Sequence, residues 1–213
     1  MTSKDEPDFM AVAGIGNLSE LESLYAASGE ASIAKESDRL TDAYAAFIKL
    51  SPLVILATGT GERIDTSPRG DEPGFVRIVS DKLLALPDRR GNNRIDSLRN
   101  IIVNPSLSLL FLIPGAGETV RVRGRGRITA DENVRAAFAV NGKLPATVLL
   151  IDIDRVYFQC ARALMRSRAW DPATHARRAD VPTAGQMVRS AYAEFDAENY
   201  DAELPERQAR TLY

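Results

Sequence analysis

Cysteine, histidine and long apolar runs are scarce in this sequence of 213 residues. Cys160 is the single cysteine, which excludes a disulfide within the chain and a zinc site built from several cysteines. A lone cysteine suits a reducing compartment, so the expected location is the cytoplasm. No apolar run approaches the ~18 residues that a membrane-spanning helix needs. Residues 1–10 are acidic and polar, unlike a signal sequence, so we expect no membrane partner.

An excess of positive charge is also missing. The chain carries 27 Lys and Arg against 29 Asp and Glu, and its isoelectric point is near 5.6. Domains that bind nucleic acid usually present a basic surface, so any anion site here must be local. A chain of this length is expected to form one domain, with or without a terminal appendage, that buries about 70% of its unfolded surface without needing a disulfide.

Short apolar runs separated by glycine and proline begin at Pro52 and predict strands. These runs are 53–58, 74–79, 83–86, 107–113, 119–129 and 147–158. Apolar residues at helical spacing predict two helices before them, one behind Asn17 and one over 37–50, and two helical insertions, 94–103 and 132–140. The expected fold is mainly β, an antiparallel β-barrel with helical decorations.

The sequence after Arg162 predicts a short helix, a polar loop and a last helix over 184–195. The charged tail, 196–213, is either mobile or wraps a partner subunit. We therefore expect an N-terminal helical extension, a barrel domain and a C-terminal segment that packs on the barrel or on the partner, with bounds 1–50, 51–170 and 171–213.

The stretch 88–99 has the composition of an anion site, with arginine, asparagine and glycine in a turn that leads into a helical pattern. Guanidinium groups match the geometry of a phosphate, and asparagine amides add neutral donors. The first turn of the following helix leaves backbone N–H groups unpaired. The stretch predicts a site for a phosphorylated ligand, and a solvated basic loop is the alternative.

Two further segments are rich in polar groups. Residues 63–71 combine hydroxyls, charges, proline and glycine after an apolar strand, which alone is typical of a hairpin end. Successive side chains of the predicted strand 119–129 point to opposite faces, so Val122 and Ile128 lie on one face and a stripe of arginines lies on the other. The stripe is Arg121, Arg123, Arg125 and Arg127. It is either a solvated face or an anion site, and the absence of aromatic residues in this strand argues against stacking on nucleic-acid bases.

In their order, these segments resemble the pyridoxamine 5′-phosphate oxidase-like family of FMN-binding split barrels, over residues 52–170. The motifs that carry the resemblance are DTSPRGD (65–71), PDRRGNNR (87–94), NPSLSLLFLIP (104–114) and TVRVRG (119–124). A bacterial subgroup also has counterparts of YFQCARA (157–163), RS (166–167) and WDP (170–172). The resemblance implies a split barrel of antiparallel Greek-key type with helices at both ends. Members of the family use FMN, a deazaflavin or haem, and FMN is the cofactor expected here.

The resemblance also implies a homodimer with one FMN at each end of the interface and both subunits contributing to each site. By position, Asn93 and Arg94 grip the phosphate, Arg89 or Arg90 assists, and Asp88 belongs to the same site. Charge-assisted hydrogen bonds of this kind contribute roughly 1.5–3 kcal/mol each.

Along the isoalloxazine ring, the resemblance places a run of four residues, Thr66, Ser67, Pro68 and Arg69. Arg69 is the candidate cation near the N1–C2=O edge, where a positive charge would stabilise the anionic reduced flavin. The remaining cofactor-binding residues implied by the resemblance are Thr119, Arg121, Arg166 and Trp170.

Four side chains between positions 160 and 170 each allow more than one role. Cys160 is expected to be a small buried side chain at a strand end rather than a redox thiol. Trp170 is either an aromatic wall over the flavin or substrate, or a packing residue. Arg162 and Arg166 either reach across the dimer, cap a helix, or pair with Asp152 and Asp154.

This sequence lacks residues that the phosphate oxidase proper uses to recognise its substrate. Thr119 stands where the phosphate oxidase proper has glutamine, and nothing like its Arg-x-His element occurs near the end of this sequence. The single histidine, His175, is expected to be an inert surface residue. These departures argue against true pyridoxamine phosphate oxidase activity. The expected function is an FMN-dependent oxidoreductase that acts on an unidentified small molecule, with no catalytic side chain assigned; the alternative is a non-catalytic flavin-binding or storage protein.

Overall fold

A computed structural model describes residues 7–213. Its strands are β1 (Leu53–Gly59), β2 (Ile64–Gly70), β3 (Arg77–Ser80), β4 (Leu83–Asp88), β5 (Ser106–Leu112), β6 (Thr119–Thr129) and β7 (Thr147–Gln159). They form one sheet in the order β2-β1-β5-β6-β7-β4-β3, and every neighbouring pair is antiparallel. The prediction of a mainly β split barrel with helical decorations is confirmed.

Eight α-helices accompany the strands in the described residues. They are α1 (Leu18–Ser23), α2 (Glu30–Ala34), α3 (Asp42–Leu50), α4 (Asp96–Val103), α5 (Glu132–Ala136), α6 (Arg162–Ser167), α7 (Ala184–Ala191) and α8 (Ala197–Thr211). Two 3-10 turns, Pro172–Thr174 and Arg178–Asp180, lie between α6 and α7. The chain divides after Lys35 into two units, and the whole sheet belongs to the second. None of the described helices combines the length and apolarity needed to cross a bilayer.

The core follows from the alternation of side chains along the central strands. Val54 and Leu56 on β1 are buried, as are Leu109 and Phe111 on β5. On β6 the arginines alternate with buried residues, as the two-residue period predicts. Gly126 takes one of these inward positions, where a Cβ atom would lie 2.8 Å from a Leu107 methyl group. The core-facing side of β6 is too closely packed for large side chains, so the arginines lie on the opposite face.

Three helices precede β1 among the described residues, whereas two were predicted. The short helix α2 was missed, and the helix expected over 37–50 begins only at Asp42. Ser37 instead exchanges two backbone hydrogen bonds with Val156 on β7, at 2.9 and 2.8 Å, and Thr41 caps α3 by accepting from the Tyr44 N–H. Pairing with the sheet thus outweighs helix formation before Thr41.

Residues 63–71, expected to be a hairpin end, instead contain a full strand, β2. It pairs with β1 over seven residues, with Pro68 opposite Ile55. Proline is tolerated because β2 lies at the edge of the sheet, where one side of the strand needs no N–H donor. Its mostly exposed, polar composition hid the strand from hydrophobic patterning.

The charged tail, 196–213, was not predicted to be helical, yet most of it forms α8. Asp196 caps this helix by accepting from the Asn199 N–H at 3.0 Å. Asp201 then ties α8 to α7, accepting from the Gly185 N–H at 2.8 Å and from the Thr183 hydroxyl. The tail therefore packs on its own chain, which contradicts a mobile segment. Two other predicted helices are shorter than expected, since α5 ends at Ala136 and α7 at Ala191.

Candidate functional site

One cleft of about 930 Å³ brings together two of the segments singled out in the sequence. Residues 65–70, largely strand β2, form one side, and residues 87–97, the turn between β4 and α4, form another. Phe75, residues 143–146 and Tyr213 complete the lining. Cofactor pockets in proteins typically span ~300–1,000 Å³. The cleft is therefore large enough for a nucleotide-sized ligand.

The turn before α4 has an unusual backbone. Asn93 and Ile95 both adopt positive φ, at 60° and 52°, and for a β-branched residue such as Ile95 this conformation is strained. Such strain is concentrated at ligand-binding turns. Between them, the Arg94 N–H donates to Asn92 Oδ1 at 3.1 Å, and its Nε donates to Asp96 Oδ2 at 2.8 Å. Ile95 provides no side-chain cap, so the first turn of α4 keeps N–H groups available for an anion.

Arg69 on β2 is the cation on the opposite side of the cleft. Its Nη1 lies 2.6 Å from Asp88 Oδ1, and the two side chains are 21% and 17% exposed. Its Nε is buried and has no hydrogen-bond partner among the described residues. A buried donor without a partner is costly, and a polar ligand in the cleft would satisfy it.

Arg89 is already engaged by the protein. Its Nε donates to Asp71 Oδ2 at 2.7 Å, and its Nη1 donates to the Phe138 carbonyl at 2.7 Å. Burial raises the pKa of Asp71, but hydrogen bonds from Tyr213, the Glu72 N–H and Arg89 outweigh it and lower the pKa below its usual value. Arg89 thus has a fixed position, whereas Arg90 is exposed at the rim of the cleft.

A buried amide connects the two sides of the cleft. Asn100 on α4 is fully buried, and its Nδ2 donates to Asp65 Oδ2 at 2.7 Å and to Thr58 Oγ1 at 3.1 Å. Thr58 lies on β1 and Asp65 on β2. Residues 89–95 form the arginine turn between β4 and α4. Because α4 follows this turn, the Asn100 amide holds the turn at a fixed distance from β2.

The structure thus gathers nine of the predicted cofactor-binding residues along one cleft: Thr66, Ser67, Pro68, Arg69, Asp88, Arg89, Arg90, Asn93 and Arg94. The other four, Thr119, Arg121, Arg166 and Trp170, do not line it in the single chain.

Local contacts account for two of these four. Arg121 Nη2 donates to Gln159 Oε1 at 2.8 Å, and Nη1 lies 3.2 Å from Tyr157 Oη. The Trp170 indole donates to the Ala116 carbonyl at 2.7 Å. These contacts place Arg121 and Trp170 on surfaces outside the cleft.

One expectation about a neighbouring side chain was wrong, and one of the alternatives left open for Arg162 and Arg166 is not observed in the described residues. Cys160 is exposed rather than buried, because it follows the last residue of β7 and lies beyond the pairing with β6. Asp152 pairs with Arg127, at 3.6 Å, rather than with Arg162 or Arg166. The register of β6 and β7 places Asp152 opposite Arg125, so Arg127 is its diagonal neighbour on the same face. His175 is exposed, as predicted.

Sequence reasoning missed Lys143 and Tyr213 as parts of the cleft. Tyr213 Oη donates to Asp71 Oδ1 at 2.6 Å across 142 positions of sequence. Lys143 Nζ donates to the main-chain oxygen of Tyr213 at 2.8 Å. No local pattern signals either contact.

Comparison with known proteins identifies the family. Residues 40–160, more than half of the chain, match the family model described as pyridoxamine 5′-phosphate oxidase. The chain belongs to the pyridoxamine 5′-phosphate oxidase family. This family contains flavin-dependent oxidoreductases. The match includes β1 to β7 and the arginine turn, and it excludes α6, α7 and α8.

Several solved structures are similar to this family member over about half of its length. HupZ of Group A Streptococcus is 20% identical, over 55% of this chain and 91% of that one, with a TM-score of 0.45. General Stress Protein 26 of Bacillus anthracis is 17% identical, over 53% and 88%, with a TM-score of 0.40. An F420 reductase is 16% identical, over 56% and 98%, with a TM-score of 0.39. A comparison with curated proteins gave no match.

Proposed function

We propose that this protein is an FMN-dependent oxidoreductase that acts on a small molecule. The observation that carries the proposal is the cleft, in which the strained arginine turn faces Arg69 on β2. The orphaned Nε of Arg69 supports it, because a ligand with acceptor atoms would satisfy this buried donor. The donor set of guanidinium, amide and backbone N–H groups fits a phosphorylated ring system.

Each side of the cleft has its own role in this proposal. Arg94, the Asn93 amide and the first turn of α4 hold the phosphate. Arg69 places positive charge beside the isoalloxazine ring, and its ion pair with Asp88 holds the guanidinium in place. When bound, FMN supplies hydride transfer, and the surrounding side chains orient it and exclude water. No side chain of the described cleft is assigned as acid or base.

We further propose a homodimer in which each subunit completes the site of the other. Thr119, Arg121, Arg166 and Trp170 lie outside the cleft of their own chain, and the Arg166 side chain is exposed there, so it can reach the site of a partner subunit. Size-exclusion chromatography with light scattering tests this arrangement. Twice the mass of one chain is expected, and a monomer at micromolar concentration would overturn it.

The visible spectrum of the purified protein, followed by identification of the pigment released on denaturation, tests the cofactor. About one FMN per subunit is expected. A colourless protein that takes up no added FMN would overturn the proposal, and release of a deazaflavin or haem would replace FMN with that group.

Reduction of the bound flavin distinguishes an oxidoreductase from a flavin-binding or storage protein. Under anaerobic conditions, NADH or NADPH is added to the FMN-loaded protein and the absorbance near ~450 nm is followed. Bleaching at a catalytic rate is expected from an oxidoreductase that uses these donors. If neither they nor a panel of small organic reductants bleach the flavin, storage is the better assignment.

A further inference from the structure

Tyr213 is the feature of the cleft that family membership does not explain. It lies well outside residues 40–160, which match the family. Helix α8 nevertheless brings it to the cleft, where it is partly buried and contacts three separate segments. These contacts involve Asp71 after β2, Arg89 after β4 and Lys143 before β7.

The contacts centre on Arg89. Asp71 accepts from Tyr213 through Oδ1, at 2.6 Å, and from Arg89 through Oδ2, at 2.7 Å. The Arg89 guanidinium carbon also lies 5.7 Å from the centroid of the Tyr213 ring, within the range of a cation–π contact. Tyr213 therefore holds Arg89 twice, once through a shared carboxylate and once directly.

Arg89 retains donors for a ligand. Its Nε and Nη1 donate to Asp71 and Phe138, and its Nη2 has no partner among residues 7–213. Arg89 lines the cleft, and its side chain is 19% exposed. A guanidinium with one free amino group and two hydrogen bonds to the protein is well suited to an oxygen of a phosphate.

We propose that Tyr213 is a positioning residue of the ligand site, which fixes Arg89 so that its free Nη2 contacts the phosphate of the bound flavin. This inference rests on the proposed function. The cleft of about 930 Å³ is present with Tyr213 in place. Tyr213 therefore lines the site and does not have to move before a ligand binds. Removing it takes away the ring contact with Arg89 and the second hydrogen bond that holds Asp71, so Arg89 is less well fixed and phosphate binding weakens.

Binding of FMN and of riboflavin, which lacks the phosphate, tests this role in the full-length protein. Dissociation constants are measured by flavin fluorescence quenching for the wild type, Tyr213→Phe and Tyr213→Ala. Tyr213→Ala is expected to weaken FMN binding about tenfold and riboflavin binding less than about twofold. Tyr213→Phe keeps the ring over Arg89 and loses the hydrogen bond to Asp71, so an intermediate loss of about threefold is expected for FMN.

Tyr192→Ala is the matched control. Tyr192 is 61% exposed at the end of α7 and does not line the cleft, so both flavins should bind to this variant as to the wild type. Circular dichroism verifies that every variant is folded.

The outcomes separate the two proposals. If the wild type binds no FMN, the proposed function fails and this role fails with it. If the wild type binds FMN and Tyr213→Ala binds it equally well, only the role of Tyr213 is wrong. Equal losses for FMN and riboflavin would show a general packing role and would also overturn positioning through Arg89.

Discussion

Arginines occupy two contrasting regions of this protein, the cleft and the outer face of β6. In the cleft, Arg69 and Arg89 lie 2.6 and 2.7 Å from carboxylates, and both side chains are about one-fifth exposed. On β6, Arg127 is 59% exposed and its Nε lies 3.6 Å from Asp152. Arg123 and Arg125 have no ion pair within the described part of the chain. The same residue type is thus fixed in one region and hydrated in the other.

The contrast shows how burial decides what an arginine does. A guanidinium that loses water must regain hydrogen bonds from the protein or a ligand, so Arg69 and Arg89 have defined positions. An exposed guanidinium is solvated and its ion pairs contribute little. A fixed cation can orient a ligand. On β6, Arg123, Arg125 and Arg127 are exposed in the single chain, which agrees with a solvated face, one of the two interpretations of the stripe, whereas Arg121 is half-buried and donates to Gln159.

Replacing Arg89 tests the contrast most severely. Arg89→Met leaves Asp71, whose side chain is only 5% exposed, without its cation. We expect the free energy of unfolding to fall by about 2–3 kcal/mol, measured by urea denaturation. The matched variant Arg127→Met on β6 should change it by less than about 0.5 kcal/mol. Equal losses would mean that burial does not separate the two regions.

Replacing Arg94 tests function rather than stability. Arg94 is 76% exposed, so Arg94→Ala should leave the unfolding free energy nearly unchanged. Its FMN affinity should fall by about 1.5–3 kcal/mol, because a charge-assisted hydrogen bond to the phosphate is lost. Fluorescence titration measures this, with Arg125→Ala from the stripe as control. Unchanged flavin affinity in Arg94→Ala would refute the phosphate assignment.

The Asp71 carboxylate gives the cleft a pH dependence. Its pKa is lowered in the folded protein, so near its usual value of about 4 the unfolded chain binds more protons. Its contribution to stability is therefore complete above that pH and is lost as the pH falls through the folded-state pKa. The unfolding free energies of the wild type and Asp71→Asn should differ by about 1–2 kcal/mol at pH 6.

That difference should shrink steadily as the acidity increases below pH ~4. Asp152→Asn, on the exposed strand, should differ from the wild type by less than about 0.5 kcal/mol at pH 6. Urea denaturation at a series of pH values measures both. A difference for Asp71→Asn that grew in acid would contradict the sign of the pKa shift.

The smallest effect is expected on the stripe itself. The double variant Arg123→Ala, Arg125→Ala removes two hydrated charges, so the free energy of unfolding should change by less than about 0.5 kcal/mol. FMN affinity should also stay within about twofold of the wild type. A large loss of either would show that the stripe has a partner that the single chain does not contain.

Strand β6 and strand β2 show where sequence patterns succeed and fail. The alternation of arginine with small or apolar residues predicted β6 with its observed bounds, Thr119–Thr129. Strand β2 was missed because its alternation is between exposed and half-buried polar residues, so no hydrophobic period marks it. Its pairing with β1 becomes evident only when both strands are in place.

The residues of the candidate site also fall into those that the sequence revealed and those that it did not. The arginine turn was recognisable because its donors are adjacent in sequence, as were the β2 residues through family resemblance. Lys143 and Tyr213 were not, because they reach the cleft from segments far away in the chain. The buried position of Asn100 was equally hidden, since an asparagine in an amphipathic helix is usually exposed.

The sequence by itself determined a mainly β fold, the alternation along β6 and an arginine-rich turn ahead of a helix, because each depends on residues within a few positions of one another. Only the tertiary structure decided which arginines are held by carboxylates, which are solvated, and which side chains from the end of the chain reach the cleft. Ion pairs and burial depend on distances in space, and folding sets those distances by bringing together residues that are remote in sequence.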